Sequence, residues 1–474
     1  MKKQLLCGLI GLISAQAALG LDLVESYEQA LSYDSGIAAA RASLEAQRAG
    51  EDVTRSALLP QIGAYGNANH FDVDGPNQEN SYKSLSYGVQ LTQPLFQADA
   101  WFAYDASKLL TEAARAEYNL AQQQLILDVS EAYFDVLRAA DNLTTARATE
   151  NAIERQYEQA QERFDVGLIA ITEVYEARAS FDDSTSRRIA AESDLDIARE
   201  RLARLTGQYP EEVENLEQDF PLMRPEPADP QAWESTALDQ NWQIEAAIHQ
   251  LQASKATLEE AKAGHYPTVE FNASIGRQRL DNVEVSTPTA LGGGQRDGTT
   301  TALGGGQRDG TTTEGVIGLS VNVPLYAGGG IQAGVRQQRA NVDVRDSNLA
   351  TTRRDVRVNT RSLYRSVNTN IETASALRQT IVSRRSALDA TLAGYDVGTR
   401  NIVEVLDAER AYYVALRDYA NARYDYVVNS LRLKQAAGTL SPQDIVDLNS
   451  WLSQTAPGIE ALATEEKTLD SPME

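Results

Sequence analysis

The stretch that decides the fold is FDVGLIAITEV at residues 164–174, because it returns as YDVGTRNIVEV at residues 395–405, 231 positions later. Other landmarks recur at nearly the same distance, namely Tyr133 with Tyr364, Gly207 with Gly438, and Pro94-Leu95-Phe96 with Pro324-Leu325-Tyr326. Such recurrence identifies an internal duplication, in which one set of elements is encoded twice. Each half predicts a short helix, two strands joined by a loop, a very long helix, a break at glycine and a medium helix.

Each copy of this motif ends a long segment that lacks helix-breaking residues. Residues 95–166 contain neither glycine nor proline, and neither do residues 335–393. In the first segment, apolar or small residues recur at every seventh position from Tyr118 to Ala160, and a second set follows four positions later. This period is typical of a coiled-coil seam. It predicts a helix from about Ala98 to Phe164, roughly 100 Å long at 1.5 Å per residue.

Four shorter segments alternate between apolar and polar or small residues, which predicts β-strands. They are Gln61–Val73, Ser84–Leu91, Val269–Gly276 and Ile317–Val323. Runs of about ten residues with one apolar side suit barrel strands that face lipid outside and water inside. The alternation also fits a soluble sheet that covers a core, so the pattern leaves both readings open.

Four strands are too few to close around a water-filled lumen, since even eight-stranded barrels are filled by side chains. Open sheet edges are not tolerated in lipid. Twelve strands from three chains would leave an opening, and oligomerisation follows if the strands lie in a membrane.

Composition and charge exclude several classes of protein. The chain of 474 residues has 67 acidic and 43 basic residues, a formal net charge of −24, and one cysteine, Cys7. A single cysteine excludes a disulfide scaffold and a zinc finger. The negative charge argues against a nucleic-acid partner, whose phosphates would be repelled.

The first twenty residues have the pattern of a secretory signal peptide. Lys2 and Lys3 precede an apolar run from Leu5 to Leu19, and the small residues up to Gly20 fit a cleavage site. The alternative is a transmembrane anchor, which needs about 20 apolar residues. We predict cleavage after Gly20, so that the mature chain begins at Leu21 and is exported.

The duplication also predicts the domain organisation. After the signal peptide at residues 1–20, the first repeat covers residues 21–207 and the second covers residues 235–440. The proline-rich residues 208–234 join the two repeats, and residues 441–474 form a C-terminal segment with an acidic tail.

No set of residues predicts catalysis, a cofactor or a bound metal. The three histidines, His70, His249 and His265, are scattered and have no spacing of metal ligands. Gly328-Gly329-Gly330 lacks the spacing of a phosphate-binding loop and predicts a strand-to-helix turn instead. The sequence TALGGGQRDGTT occurs at residues 289–300 and again at 301–312, which predicts a flexible loop. We therefore expect a protein that is not an enzyme.

Several motifs occur in order and at matching spacing across nearly the whole mature chain. They are Leu58-Leu59-Pro60-Gln61, Leu91-Thr92-Gln93-Pro94, Arg163-Phe164-Asp165-Val166-Gly167-Leu168, Tyr395-Asp396-Val397-Gly398-Thr399-Arg400, Val405-Leu406-Asp407-Ala408 and Ala420-Asn421-Ala422-Arg423-Tyr424. Together with the duplication, these motifs resemble the TolC family of outer-membrane efflux channels over about Leu23 to Leu448.

The resemblance implies a fold that is mainly α with β. In that fold a homotrimer forms a 12-stranded β-barrel in the outer membrane of a Gram-negative bacterium and a long α-helical coiled-coil barrel across the periplasm. It implies a passive exit duct for efflux or type I secretion, in contact with outer-membrane lipid. The substrates would come from an inner-membrane transporter and its periplasmic adaptor protein. Residues 208–234 and 441–474 would lie in an equatorial region.

Two acidic residues in the second half are the most informative candidates for a functional site. Glu404 and Asp407 are three residues apart, which places them on one helix face. Without the family, a solvated coiled-coil face explains them equally well. In a trimer, however, each position becomes a ring of three carboxylates that attracts cations. The resemblance implies that these acids constrict a periplasmic gate.

The resemblance also implies which residues lock that gate. Tyr395 and Arg400 match the locking residues, and Thr172 and Glu173 match their partners on the neighbouring coil. Gln156 matches a further linking residue, although its usual acidic partner position is Ala350 here.

A second class of function is a structural or adhesive coiled-coil protein of the cell envelope. The strand pairs at matched positions in both halves favour the export duct, because an adhesin needs no such pairs.

Overall fold

The computed structural model describes residues 21–75, 78–284, 307–454 and 456. The predicted signal peptide and the first copy of the repeated loop lie outside these residues. The described elements, in chain order, are α1 (Leu23–Tyr33), α2 (Ser35–Ser56), β1 (Gln61–Gly75), β2 (Gln78–Phe96), α3 (Ala98–Asp165), α4 (Ile171–Thr206), β3 (Asn215–Leu216), α5 (Pro230–Gln240), α6 (Trp242–Ala263), β4 (Thr268–Glu284), β5 (Gln307–Asn322), α7 (Gly330–Asp396), α8 (Ile402–Ala436), α9 (Pro442–Asn449) and β6 (Leu452–Ser453).

The predicted order of elements appears in both halves of the chain, except that two helices precede the strands of each half where one was predicted. The first long helix is confirmed, since α3 has 68 residues and begins and ends within one residue of the predicted bounds. Its counterpart α7 has 67 residues. Both medium helices, α4 and α8, end just before a glycine with positive φ, 78° at Gly207 and 79° at Gly438.

The heptad period decides which faces of the long helices are buried. In α7 the buried residues follow the coiled-coil period, because they recur in steps of seven positions with one step of four. They are Leu349, Val356, Thr360, Val367, Ala374, Ile381, Leu388 and Tyr395. In α3 most of the predicted seam is buried, including Leu125, Val129 and Ile153. Phe164, which the pattern also assigned to the seam, is 37% exposed, because the helix ends one residue later.

The chain divides into two compact units, each drawn from both repeats. Within the described ranges, one comprises residues 21–44, Ala114–Ala247, residues 349–454 and residue 456, and the other comprises residues 45–75, 78–113, 248–284 and 307–348. The first unit holds the main hydrophobic core, whose fully buried side chains include Tyr133, Phe134 and Leu202.

The second unit contains a four-stranded antiparallel sheet in the order β1-β2-β4-β5. Its strands have 15, 19, 17 and 16 residues, so the predicted length of about ten residues was too short. Ladder hydrogen bonds join backbone groups, and pairing therefore continues through polar segments where the apolar alternation stops.

Part of the repeated loop is also strand, which corrects the prediction that both copies are a flexible loop. Residues 307–312 of the second copy belong to β5, where Thr311 pairs with Arg279 and Thr312 pairs with Gln278. Because this pairing is made by backbone groups, it does not require an apolar sequence.

The segment between the repeats contacts the C-terminal segment within the first unit. Asn215 and Leu216 of β3 pair with Ser453 and Leu452 of β6. The Glu217 backbone N–H also donates a hydrogen bond to the Trp451 carbonyl at 2.9 Å.

Across the described ranges, no helix combines the length and the apolar character that crossing a membrane requires.

Candidate functional site

The duplicated motif that opens the sequence forms two copies of one helix-ending turn. After α3, Gly167 adopts a φ of 78° and the Leu168 N–H donates to the Arg163 carbonyl at 2.8 Å. After α7, Gly398 adopts a φ of 76° and the Thr399 N–H donates to the Gly394 carbonyl at 2.9 Å. This is the Schellman arrangement, in which a glycine accepts the left-handed conformation that other residues strain to adopt.

A small hydrophobic core, which we call the turn cluster, lies beside these turns. Its buried members are Ile153, Tyr395, Ile402, Val405 and Leu406, and the half-buried Phe181 and Leu392 pack against it. The cluster joins the last turns of α7 and the first turns of α8 to Ile153 and Phe181, which lie in α3 and α4 about three turns from the α3–α4 connection. Apolar packing thus holds both hairpin ends together within one chain.

Tyr395, predicted to lock the gate, is at the centre of this cluster. It is 4% exposed, and the guanidinium of Arg163 lies 4.4 Å from the centroid of its ring. Its hydroxyl is buried and makes no hydrogen bond to any described residue. The ring is therefore held by apolar packing and by the cation, and the hydroxyl contributes nothing to this position.

Arg400 and Glu404 interact with each other across one turn of α8. The Arg400 guanidinium lies 2.6 Å from Glu404 Oε2, and the Asn401 amide donates to Glu404 Oε1 at 3.1 Å. The Asn401 side chain also caps α8 by accepting the Glu404 backbone N–H at 2.9 Å. Both carboxylate oxygens of Glu404 are therefore occupied, and its charge is offset by a neighbouring cation.

Asp407 lies one turn further along the same face of α8 in a more open environment. Its side chain is 68% exposed, and its ion pair with Arg410 is long, at 3.9 Å. The two acids therefore differ in how closely their charges are paired, which their spacing on the helix does not show. The Asp407 charge is available to a cation in solution, whereas the Glu404 charge is already paired.

Thr172, Glu173 and Gln156 do not meet Tyr395 or Arg400 within the described part of one chain. Thr172 is exposed and Glu173 is half-buried in the first turn of α4. The Oε1 atom of Gln156 is buried, with no hydrogen-bond partner among the described residues. The predicted locking contacts are therefore absent inside the protomer, and they stay predictions for the contact between neighbouring chains.

The sequence reasoning missed two charged residues beside the turn cluster. Arg163 was noted only as part of a motif, because its contact with a residue 232 positions away depends on the packing of α3 against α7. Glu409 has a buried Oε2 atom without a hydrogen-bond partner among the described residues. Burial raises the pKa of its carboxyl, and the positive charge of Arg155 lowers it to a lesser degree. Glu409 lies seven residues after Ile402 on the apolar seam, so the heptad spacing could have predicted that it is buried.

Histidine, cysteine and acidic side chains form no group of three or more suited to a metal ion in the ranges that the structure covers. The candidate site consists of fixed charges, an apolar cluster and two glycine turns.

Comparison with known proteins agrees with this geometry. The family model described as "Outer membrane efflux protein" matches residues 26–208 and 233–439. The outer membrane protein TolC of Escherichia coli is 35% identical over 461 residues, which cover 95% of this chain and 90% of that protein. The alkaline protease secretion protein AprF of Pseudomonas aeruginosa is 26% identical, over 93% of this chain and 89% of that protein. The CmeC outer membrane channel of Campylobacter jejuni superposes with a TM-score of 0.73 at 16% identity, over 99% and 98% of the two chains.

Proposed function

The chain belongs to the outer membrane efflux protein family, and from this premise we propose that it is an outer-membrane channel for efflux and type I secretion that works as a homotrimer. It extends from the outer membrane into the periplasm. Substrates reach it from an inner-membrane transporter through a periplasmic adaptor protein, and the channel itself is a passive duct.

The observation that carries the membrane part of this proposal is the apolar face of the sheet. Residues paired across antiparallel strands point to the same side, and one such row contains Ile62, Leu91, Ala273 and Ile317. Ile62 is 75% exposed and Ile317 is 79% exposed in the single chain. Leu91 and Ala273 between them are half-buried. An apolar row with exposed ends of this kind suits contact with lipid.

The edges of the same sheet support the trimer. The outer edges of β1 and β5 have no pairing strand among the described residues. In lipid, unpaired backbone groups cost several kcal/mol each. Pairing β1 of one chain with β5 of the next satisfies both edges, and three chains of four strands give a closed barrel of twelve.

The turn cluster then forms part of a periplasmic gate. Threefold symmetry turns Asp407 and Glu404 into two acidic rings, and the neighbouring coil would present Thr172 and Glu173 to Tyr395 and Arg400. In the single chain Arg400 pairs with Glu404 instead, so Glu404 and Glu173 compete for the same guanidinium. Because these links are partly exposed, each is modest, roughly 0.5–3 kcal/mol.

Two measurements on the full-length protein test the proposal: light scattering tests the trimer, and planar-bilayer recording tests the channel. Light scattering in mild detergent gives the number of chains, and wild-type protein should form cation-selective pores. A monodisperse monomer, or a trimer without conductance, would refute the channel.

The acidic rings are tested by charge removal. Asp407→Asn should lower cation selectivity and weaken block by multivalent cations more than Glu404→Gln does, because Arg400 already offsets the Glu404 charge. Glu176→Gln changes the first-half counterpart of Asp407 and serves as the matched control. If the Asp407 variant keeps the selectivity of the wild type, the selectivity filter lies elsewhere.

The locking links are tested by the double variant Arg400→Ser with Tyr395→Phe. We expect higher single-channel conductance without loss of the trimer, because two contacts per chain are removed. Arg400→Ser alone should also increase cation selectivity, since it leaves Glu404 unpaired. Conductance equal to that of the wild type would show that these residues do not hold the gate closed.

A further inference from the structure

We infer that Arg163 is a positioning residue of the gate, which holds the Tyr395 ring against α3 and thereby ties the end of α7 to the end of α3 within each protomer. This inference rests on the proposed function, because it concerns what must be released when the α7–α8 hairpin moves.

The first observation is that Tyr395 is held by its ring alone. Its hydroxyl is buried without a hydrogen-bond partner in the described residues, a state that costs free energy. The contacts that compensate are apolar packing against the turn cluster and the guanidinium of Arg163, 4.4 Å from the ring centroid. A cation within about 6 Å of a ring face is attracted by the negative face of the aromatic system.

The second observation is that the backbone of Arg163 is anchored and that its guanidinium makes no ion pair within the described residues. Its backbone carbonyl accepts the Leu168 N–H that closes the turn after α3. In the described residues its guanidinium makes no ion pair, and its contact is with the Tyr395 ring. The side chain therefore projects from a fixed point, and its favourable interaction depends on Tyr395 remaining in place.

The third observation is the difference between the two repeats. Phe164, the first-half counterpart of Tyr395, is 37% exposed. At the position that corresponds to Arg163, the second half has Gly394. The first repeat supplies the cation and the second supplies the buried ring. The contact therefore joins the two repeats, and neither hairpin can form it alone.

The test uses single-channel recording of the full-length trimer in planar bilayers. The loss of one cation–ring contact corresponds to a factor of roughly two to five in each protomer. Because Arg163→Gln removes three such contacts from the trimer, it should raise the open probability by at least that factor. Arg187→Gln is the matched control, since Arg187 lies in α4, is 59% exposed and pairs only with Asp183 in the described ion pairs. This control should behave like the wild type.

A double-mutant cycle separates positioning from a general structural role. In a Tyr395→Leu background, Arg163→Gln should produce no further change, because the ring is already gone. Arg163→Lys keeps the charge without the planar stacking. Arg163→Lys should raise the open probability less than Arg163→Gln does, and this rise should also disappear in the Tyr395→Leu background. If the Gln variant fails to assemble, the same comparison is made with the Lys variant.

The outcomes distinguish this inference from the proposed function. If wild-type protein forms no pore, the channel itself is refuted. If wild-type protein conducts, and Arg163→Gln matches Arg187→Gln or has the same effect with and without Tyr395, Arg163 does not position the ring.

Discussion

Replacing Asp141 with asparagine should stabilise the protein at neutral and alkaline pH but not at acid pH. Asp141 lies in α3, where its Oδ2 atom accepts a hydrogen bond of 2.6 Å from the Tyr424 hydroxyl of α8. Burial is the largest influence on its carboxyl, and it raises the pKa from 3.8 to about 6, although the Tyr424 hydrogen bond and the Arg423 charge lower it.

The sign and the size of the effect follow from this pKa. Because the folded carboxyl holds its proton more tightly than the unfolded one, its contribution to stability is complete below pH 3.8 and is lost as the pH rises through about 6. A pKa unit corresponds to about 1.4 kcal/mol, so the charged form costs at most about 3 kcal/mol. Asparagine is neutral at every pH, and its carbonyl can still accept the Tyr424 hydrogen bond.

The assay is unfolding of the detergent-solubilised protein, followed by helical circular dichroism at fixed protein concentration between pH 4 and pH 8. Asp141→Asn should exceed the wild type by about 2 kcal/mol at pH 8 and match it at pH 4. Asp425→Asn is the control, since Asp425 is 51% exposed and pairs with Arg138 at 2.8 Å. That change should cost less than about 1 kcal/mol. A variant less stable than the wild type at pH 8, or a difference independent of pH, would refute the reasoning.

Two further predictions concern the repeated loop and the glycine turns. Deleting residues 301–312 gives the same sequence as deleting residues 289–300, so the strand-forming residues remain. We expect an intact trimer by heat-sensitive migration, and loss of the folded trimer would show that the loop length is structural. Gly207→Ala should lower the free energy of unfolding by about 1–3 kcal/mol more than Gly167→Ala. Both glycines have a φ of 78°, but only at Gly207 would a Cβ lie 2.7 Å from the Tyr33 ring. Equal losses on chemical unfolding would contradict that close contact.

The amino-acid sequence alone predicted the duplication, the long helices and the presence of strands, because these features depend on local patterns. A heptad seam and a two-residue alternation are local consequences of helix and strand geometry. The absence of glycine and proline from residues 95–166 predicted a helix whose observed ends, Ala98 and Asp165, lie within one residue of expectation. The resemblance also pointed to Glu404 and Asp407, whose helix spacing places them on one face, and their role stays a prediction.

The strand lengths, the surroundings of Tyr395 and the pKa of Asp141 depended on contacts between distant residues. Backbone pairing extends β4 to Glu284, far beyond the alternating segment that ended at Gly276. In the sequence, nothing distinguishes Asp141 from other acidic residues beside the coiled-coil seam. Its pKa is raised because it is buried beneath α8. Burial and ring stacking are properties of neighbours in space, and for Asp141 and Tyr395 those neighbours are contributed by the opposite repeat of the chain. Periodicity therefore reveals which elements form, whereas packing sets which charges are paired, which are free and which side chains hold the turns together.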